Sequence, residues 1–348
     1  MFKQAEFTAA LARIRETATA RDVAGTWPAT ELADLHQVGA MRWAIPAPWG
    51  DGVPSLELHT RYEQIAAASL SVALILTQRD SAVQLIEQSE GYAGREQLLE
   101  SLANDQAFAT IGISQLTTSH QRNGPALIAR PADDGFVLNG LIPWATGAAH
   151  SDFIVAGAVL PDRRQILFCL PRTLPGVTVD PPAALVALAS TWTTQIHLNE
   201  VHLGHAHILR GPAENVLSNR KKGVPFGQVF LALGLCQAAV DLIAGHRSDA
   251  GARSVDAFER ELEQLRKRVL FLSSPQGAQE APAAAAVTRA DVNDLAIRAS
   301  HAAVALYKGS ALLSSHPAQR LAREAMFLLV WSCPGPVIDC TLDRLLEC

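Results

Sequence analysis

The hydrophobic pattern of this chain changes period twice, and that change restricts its architecture more than any single motif does. Up to about Asp105, apolar residues recur at helical spacing, as in Phe7, Leu11 and Ile14. From Phe108 to about Leu209 the pattern becomes short apolar or alternating runs broken by Gly, Pro and Asp, such as Phe153-Ile-Val-Ala-Gly-Ala-Val-Leu and Gln165-Ile-Leu-Phe-Cys-Leu. From Pro225 onward helical spacing returns. The expected fold class is therefore α+β and multidomain. An N-terminal α-helical domain is expected over 1–105, a middle β-barrel or sandwich over 106–212, and a C-terminal α-helical bundle over 213–348. A chain of 348 residues exceeds one ordinary core, which agrees with several packed units.

Within the helical parts, Thr30 is expected to cap a helix from Glu31 to Val38 that stops at Gly39. One long apolar helix is expected from Leu56 to about Gln78 and another from Glu96 to Ala103. The C-terminal part predicts helices over Val229–Ala244, Phe258–Leu272, Arg289–Leu313 and Pro317–Trp331, with Ser273–Ala286 as a low-complexity loop. A net charge of −5 gives no electrostatic reason to expect a nucleic-acid partner. Five cysteines without a CxxC spacing read as reduced thiols. Met1-Phe-Lys-Gln-Ala-Glu-Phe lacks the basic-then-apolar run of a leader, and no stretch reads as a membrane span. The expectation is a soluble cytoplasmic protein.

The stretch from Gly135 to Ala156 carries the chemistry. It predicts a hairpin with an Asn139-Gly140 turn, its second strand bearing Trp144 and Thr146 two residues apart. Side chains two apart on a strand share a face, so a flat indole would stand beside a small hydroxyl. That pair suits a planar heteroaromatic ring: the indole stacks while the hydroxyl bonds a ring nitrogen. A stack of this kind adds about 1 kcal/mol beyond buried area, enough to orient a ring more than to anchor it. The same two residues also fit a core Trp and a turn Thr in an all-β domain.

This stretch resembles the flavin-contacting strand of the acyl-CoA dehydrogenase family, where a Trp-x-Thr or Trp-x-Ser lies against the isoalloxazine. Phe108-Ala-Thr-Ile-Gly-Ile-Ser-Gln-Leu116-Thr117-Thr118-Ser119 is similar to the family's strand ending in Leu-Thr-Glu-Pro, which implies that Thr117 meets the pyrimidine edge of the flavin. Leu185 to Val201, containing Ser190-Thr191-Trp192-Thr193-Thr194, resembles the closing strands of the same domain. The resemblance covers the whole chain. It implies FAD, a homodimer or homotetramer built through the last helices, and a small-molecule substrate of the acyl-CoA class. The family's Arg-x-x-Phe-Gly loop, which reaches a neighbouring subunit's cofactor, is here Arg247-Ser-Asp-Ala250-Gly251, so Arg247 is the implied phosphate partner and the Phe is missing. Lys308-Gly309-Ser310 corresponds loosely to the family's adenine-side turn, and Ser119 to Gly124 replaces its phosphate turn while keeping Arg122.

Catalysis is where the chain departs from the family. Dehydrogenating an acyl thioester needs a base for the α-proton, usually a carboxylate whose pKa burial has raised. The family's Glu in Tyr-Glu-Gly-Thr falls, by counting from Arg323, on Ser332, and its alternative position falls near Val224. Serine is no base at neutral pH without an activating partner. Glu324 replaces the family's Asp and reads as a helix salt-bridge residue. Asp339 lies in the right neighbourhood and could enter the pocket, although caps and loops are its commoner place. Cys333 is weighed as an exposed thiol and reads by default as a packed one. The run His197 to His207 has metal-like density but coincides with an exposed strand, and no metal is assigned. Three functions stay open: an acyl-CoA dehydrogenase with an unrecognised base, a flavin monooxygenase or oxidase, and a non-catalytic binding or assembly protein.

Overall fold

The computed structural model describes residues 3–117, 124–218 and 226–346. Helices α1 (Gln4–Ala24), α2 (Ala29–Gln37), α3 (Ala40–Trp43), α4 (Ser55–Ala68), α5 (Leu70–Glu87) and α6 (Arg95–Ala103) come first. Strand β1 (Ala109–Gly112) and a single turn of helix, α7 (Ser114–Thr117), lead into β2 (Leu127–Ala132), β3 (Gly135–Ala145), β4 (Phe153–Val159) and β5 (Gln165–Pro171). Then follow β6 (Val177–Val179), β7 (Thr194–Gly204) and β8 (Ile208–Ala213). Helices α8 (Phe226–Ala244), α9 (Asp249–Ser273), α10 (Ala281–Tyr307), α11 (Pro317–Leu328) and α12 (Gly335–Leu346) close the chain. The architecture is α+β and multidomain, helices flanking a β unit in sequence.

All eight strands join one sheet in the order β6-β7-β3-β2-β4-β5-β8, with β1 parallel beside β4. Strand β4 is buried on both faces. Ile154, Ala156 and Ala158 turn into the core of the β unit with Phe136, Phe168 and Ile196, while Val155 turns toward Val83, Ile86 and Leu99 of α5 and α6. A strand covered on both sides reads as a continuous apolar run rather than an alternating one, and Phe153–Val159 does. The largest core joins α1, α4 and α5 to α8, α10 and α11. Helix α8 is its centre. It crosses α4 at Gly234, where a Cβ would lie 2.7 Å from the Ala66 Cβ, so the two backbones touch only because Gly has none.

Several expectations are corrected. Ser69 is extended and its side chain accepts from Val72 N, which divides the predicted long helix into α4 and α5. Such a cap contributes on the order of 1 kcal/mol and overrides the apolar continuity of the sequence. Thr30 lies inside α2, whose cap position is Pro28. The Ala-rich half of the Ser273–Ala286 segment is the beginning of α10, as alanine's helix propensity favours. Asn139-Gly140 is no turn: β3 runs through it, with a register irregularity against β7, and the chain turns at Asp133-Asp134. Gly140 has φ +129°, and a Cβ there would run into the Ala126 carbonyl, so it serves a close strand approach. Finally, Gly227–Ala244 is long and apolar enough to cross a bilayer by length and composition. It is the central core helix, packed against α4, α9 and α10.

Candidate active site

The end of β3 is built differently from a regular strand. A second register irregularity against β7 falls between Ile142 and Ala145, and Thr146 lies just beyond the strand. Alternation is therefore lost. Trp144 is 48% exposed whereas Thr146, just past the strand, is buried, so the two differ in exposure although their spacing predicts one shared face. The Thr110 hydroxyl donates to the Thr146 carbonyl at 2.7 Å and fixes that corner to β1. The Thr146 hydroxyl lies 3.0 Å from that of Thr193, which lies 2.8 Å from that of Thr191. Next to it Gly147 is left-handed, and a Cβ there would lie 2.7 Å from the Trp27 ring. Trp27 stacks on His150 at 4.2 Å, His150 leans on Trp192 at 4.7 Å, and the Trp192 indole N–H donates to the Gly25 carbonyl. These rings clasp the α1–α2 connection to the β unit beside Thr146. Burial, reinforced by the charge of Arg172, holds the His150 pKa below its ordinary value.

Thr117 is also placed differently from expectation. It is an exposed residue on α7, not the end of a strand, and its hydroxyl donates to the Ser114 carbonyl at 3.3 Å. Ser114 opens the same short helix. Its Oγ is buried and, among the described residues, has no hydrogen-bond partner, as is true of the Oε1 of Gln115, whose Nε2 is held by the carbonyls of Gly112 and Gly157 at 2.9 Å each. Gly112, two residues before Ser114, faces the Ile142 side chain, the Trp144 carbonyl and the Ala145 side chain. An unpaired buried hydroxyl costs on the order of 1–3 kcal/mol unless something completes it. An exposed indole and an uncompleted hydroxyl at adjacent strand ends fit a planar ring with a polar edge. Ser114 follows the apolar strand directly, and that position was its only signal in the sequence. The Ser119–Arg122 turn and Val224 lie outside the described residues.

The implied phosphate partner, Arg247, is exposed in the α8–α9 connection and borders a depression of about 480 Å³ with His246, Asp249 and Asp256. Among the described residues no hydrogen bond, ion pair or ring contact joins it to Trp144, Thr146 or Ser114. Ser332 is exposed with φ +49°, and Asp339 is exposed on α12. Glu324 is fully buried and held by Arg320 at 2.9 and 3.0 Å, with burial raising its pKa against the pull of that arginine. Cys333 is half-buried, its thiol pushed up by burial and drawn back by Arg289.

Arg289 was not visible as a site residue in the sequence. It is 4% exposed on α10 and bonds the carbonyls of Trp331 and Ser332, the Gln228 side chain, and the Cys333 sulfur at 3.5 Å. All are neutral acceptors, so this cation fixes the turn after α11 against the first turn of α8. On β7, His197 is engaged with Asp180 at 3.0 Å, and His205, just past the strand, sets its ring edge-on to Phe136.

No family model matches the chain. It is 23% identical over 333 residues to a probable acyl-CoA dehydrogenase of Bacillus subtilis, covering 88% of this chain and 87% of that protein. It is 26% identical to dibenzothiophene monooxygenase of Rhodococcus erythropolis, covering 65% of this chain and 58% of that one. It is 24% identical to isobutylamine N-hydroxylase of Streptomyces viridifaciens, covering 54% and 52%. Among solved structures, butyryl-CoA dehydrogenase from Megasphaera elsdenii superposes with a TM-score of 0.82 at 20% identity, over 99% of this chain and 98% of that one. A glutaryl-coenzyme A dehydrogenase complex gives 0.80 at 17% identity, over 98% and 94%. In sequence and in fold, the chain is an acyl-CoA dehydrogenase-like protein.

Proposed function

We propose that the chain is a flavin-dependent oxidoreductase that holds the FAD ring between Trp144, Thr146 and Ser114 and acts on a small molecule with oxygen. The observation that carries the oxygen-dependent choice is Ser332, an exposed hydroxyl where the resemblance puts a dry carboxylate. Asp339 is exposed, and Glu324 is locked by Arg320, so neither is set up to take an α-proton. Flavin, when bound, supplies the two-electron chemistry. The residues of this chain orient the ring, exclude water at Thr146 and give the turn at Ser332 a fixed shape through Arg289. Similarity to a monooxygenase and an N-hydroxylase supports this choice. Oxidation of the CH–CH bond of an acyl-CoA is the second reading, favoured by the 88% of this chain aligned with the Bacillus relative. A homo-oligomer, in which Arg247 serves a neighbouring copy's cofactor, belongs to the same proposal.

Two measurements test it. The first is flavin retention after FAD loading and removal of the excess. Trp144→Ala and Ser114→Ala are each expected to weaken FAD binding roughly five- to tenfold, the worth of one stack or one hydrogen bond, without changing the far-ultraviolet spectrum. Unaltered affinity in both variants refutes the site. The second is the reaction of reduced, FAD-loaded protein with oxygen. It is expected to differ in rate from free reduced flavin and to respond to added small neutral substrates. Anaerobic bleaching by an acyl-CoA would instead establish the dehydrogenase reading.

A further inference from the structure

The chain of threonine hydroxyls behind Thr146 has a direction, and that direction follows from counting protons. Each hydroxyl has one hydrogen to give and two lone pairs to receive, while a backbone carbonyl can only receive. The Thr191 Oγ1 lies 2.8 Å from the Leu188 carbonyl, so the Thr191 proton is spent there. The 2.8 Å contact between Thr193 and Thr191 then needs its proton from Thr193. The 3.0 Å contact between Thr146 and Thr193 needs its proton from Thr146. Thr146 has no proton left. Whatever lies on its other side meets lone pairs only.

The relay is well fixed. Thr191 is fully buried, Thr146 is 8% exposed, and Gly147 N donates to the Thr191 carbonyl at 3.0 Å, so both ends are tied to one backbone corner. We propose that Thr191 and Thr193 are positioning residues that force the Thr146 hydroxyl to act as an acceptor and so make the site prefer reduced over oxidised flavin. The proposal rests on the flavin reading above and adds the redox form that the site selects. The central ring nitrogen of flavin is a bare acceptor when oxidised and carries N–H when reduced. A lone pair on Thr146 therefore repels the first and bonds the second. Such a site keeps reduced flavin bound while oxygen and substrate arrive.

The test is the midpoint potential of bound flavin, compared with free flavin, in four forms of the full chain. The wild-type protein is expected to hold reduced flavin more tightly than oxidised flavin, relative to any pocket without a polarised hydroxyl. Thr193→Val removes the acceptor, frees the Thr146 proton and lets it donate to the oxidised ring. The ratio of oxidised to reduced dissociation constants is expected to fall roughly tenfold, which for a two-electron couple is about 30 mV toward more negative potential. Thr191→Val is expected to move it the same way, because Thr193 can then give its proton back toward Thr146. Thr193→Ser keeps the hydroxyl and is expected to restore the wild-type value. A residue that only packs would weaken both redox forms together and leave the potential in place. An unchanged or raised potential in Thr193→Val, with flavin still bound, overturns the proposal. A protein that stays colourless after FAD loading overturns the flavin reading beneath it.

Discussion

Asp80→Asn is expected to destabilise the N-terminal helices by about 3–5 kcal/mol, the cost of leaving a buried charge without its partner. Arg79 is fully buried and Asp80 is 2% exposed, neighbours on α5 at the centre of the N-terminal helices. The Asp80 carboxylate takes Arg79 on one oxygen and the Tyr62 hydroxyl on the other, each at 2.5 Å. Arg79 in turn donates to the carbonyls of Met41 and Leu102, joining α3 and α6 to α5. Burial pushes the Asp80 pKa up against the pull of Arg79 and Tyr62. Asn keeps the shape and removes the charge, which exposes the full desolvation of the guanidinium. Urea unfolding read by circular dichroism measures the loss. The double variant Arg79→Met/Asp80→Leu is expected to recover part of it, since neither charge is then buried while the Tyr62 hydroxyl and the Met41 and Leu102 carbonyls lose their partners. A single variant within about 1 kcal/mol of wild type would mean that the pair holds nothing together.

The same cluster shows what a sequence withholds. Arg79-Asp80 stands just past the end expected for the apolar helix, and nothing in the chain says that α5 runs on through it or that Tyr62, eighteen residues before Asp80, completes it. The order of helices and strands was legible because hydrophobic period is a local property that each segment carries by itself. Ser69 was not legible as a break, because apolar spacing runs straight through it and only its extended backbone ends the helix. Asn139-Gly140 has the composition of a turn, but composition records that a glycine is needed and not why. Here the need is approach to the Ala126 carbonyl within a continuous strand.

At the site, the spacing of Trp144 and Thr146 predicts like exposure, whereas beyond the irregularity after Ile142 the first is exposed and the second buried. Thr117 was chosen by its likeness to a motif, whereas Ser114 is selected by a property no sequence displays, a buried oxygen without a partner among the described residues. Arg289 and the threonine relay are of the same kind. Both depend on which groups from distant segments meet, and Thr146 and Thr193 are forty-seven residues apart.

Acid is expected to loosen the molecule first where α4 meets the beginning of α8. His59 on α4 stacks on Phe230 at 5.3 Å and lies over Gly227, where a Cβ would sit 3.4 Å from its Nε2. Burial lowers its pKa from 6.5 to about 4. At pH 7 the ring is neutral in both the folded and the unfolded chain, so it contributes nothing to the pH dependence there. Below about 6.5 the unfolded chain takes up a proton that the folded chain refuses, and stability falls by about 1.4 kcal/mol per pH unit. The loss reaches roughly 3 kcal/mol near pH 4 and then stops, because the folded ring also protonates below that. His59→Gln, which does not titrate, is expected to lose roughly 2–3 kcal/mol less than wild type between pH 7 and pH 4.5 in urea unfolding. Parallel pH profiles for the two proteins would remove His59 from the account. The site gives the prediction its functional weight. The first turn of α8 also carries Gln228, which anchors Arg289 and through it the Ser332 turn. In the folded chain the ring takes its proton only near pH 4, so under the proposed function substrate response is expected to fade there, while flavin retention through Trp144 is expected to persist.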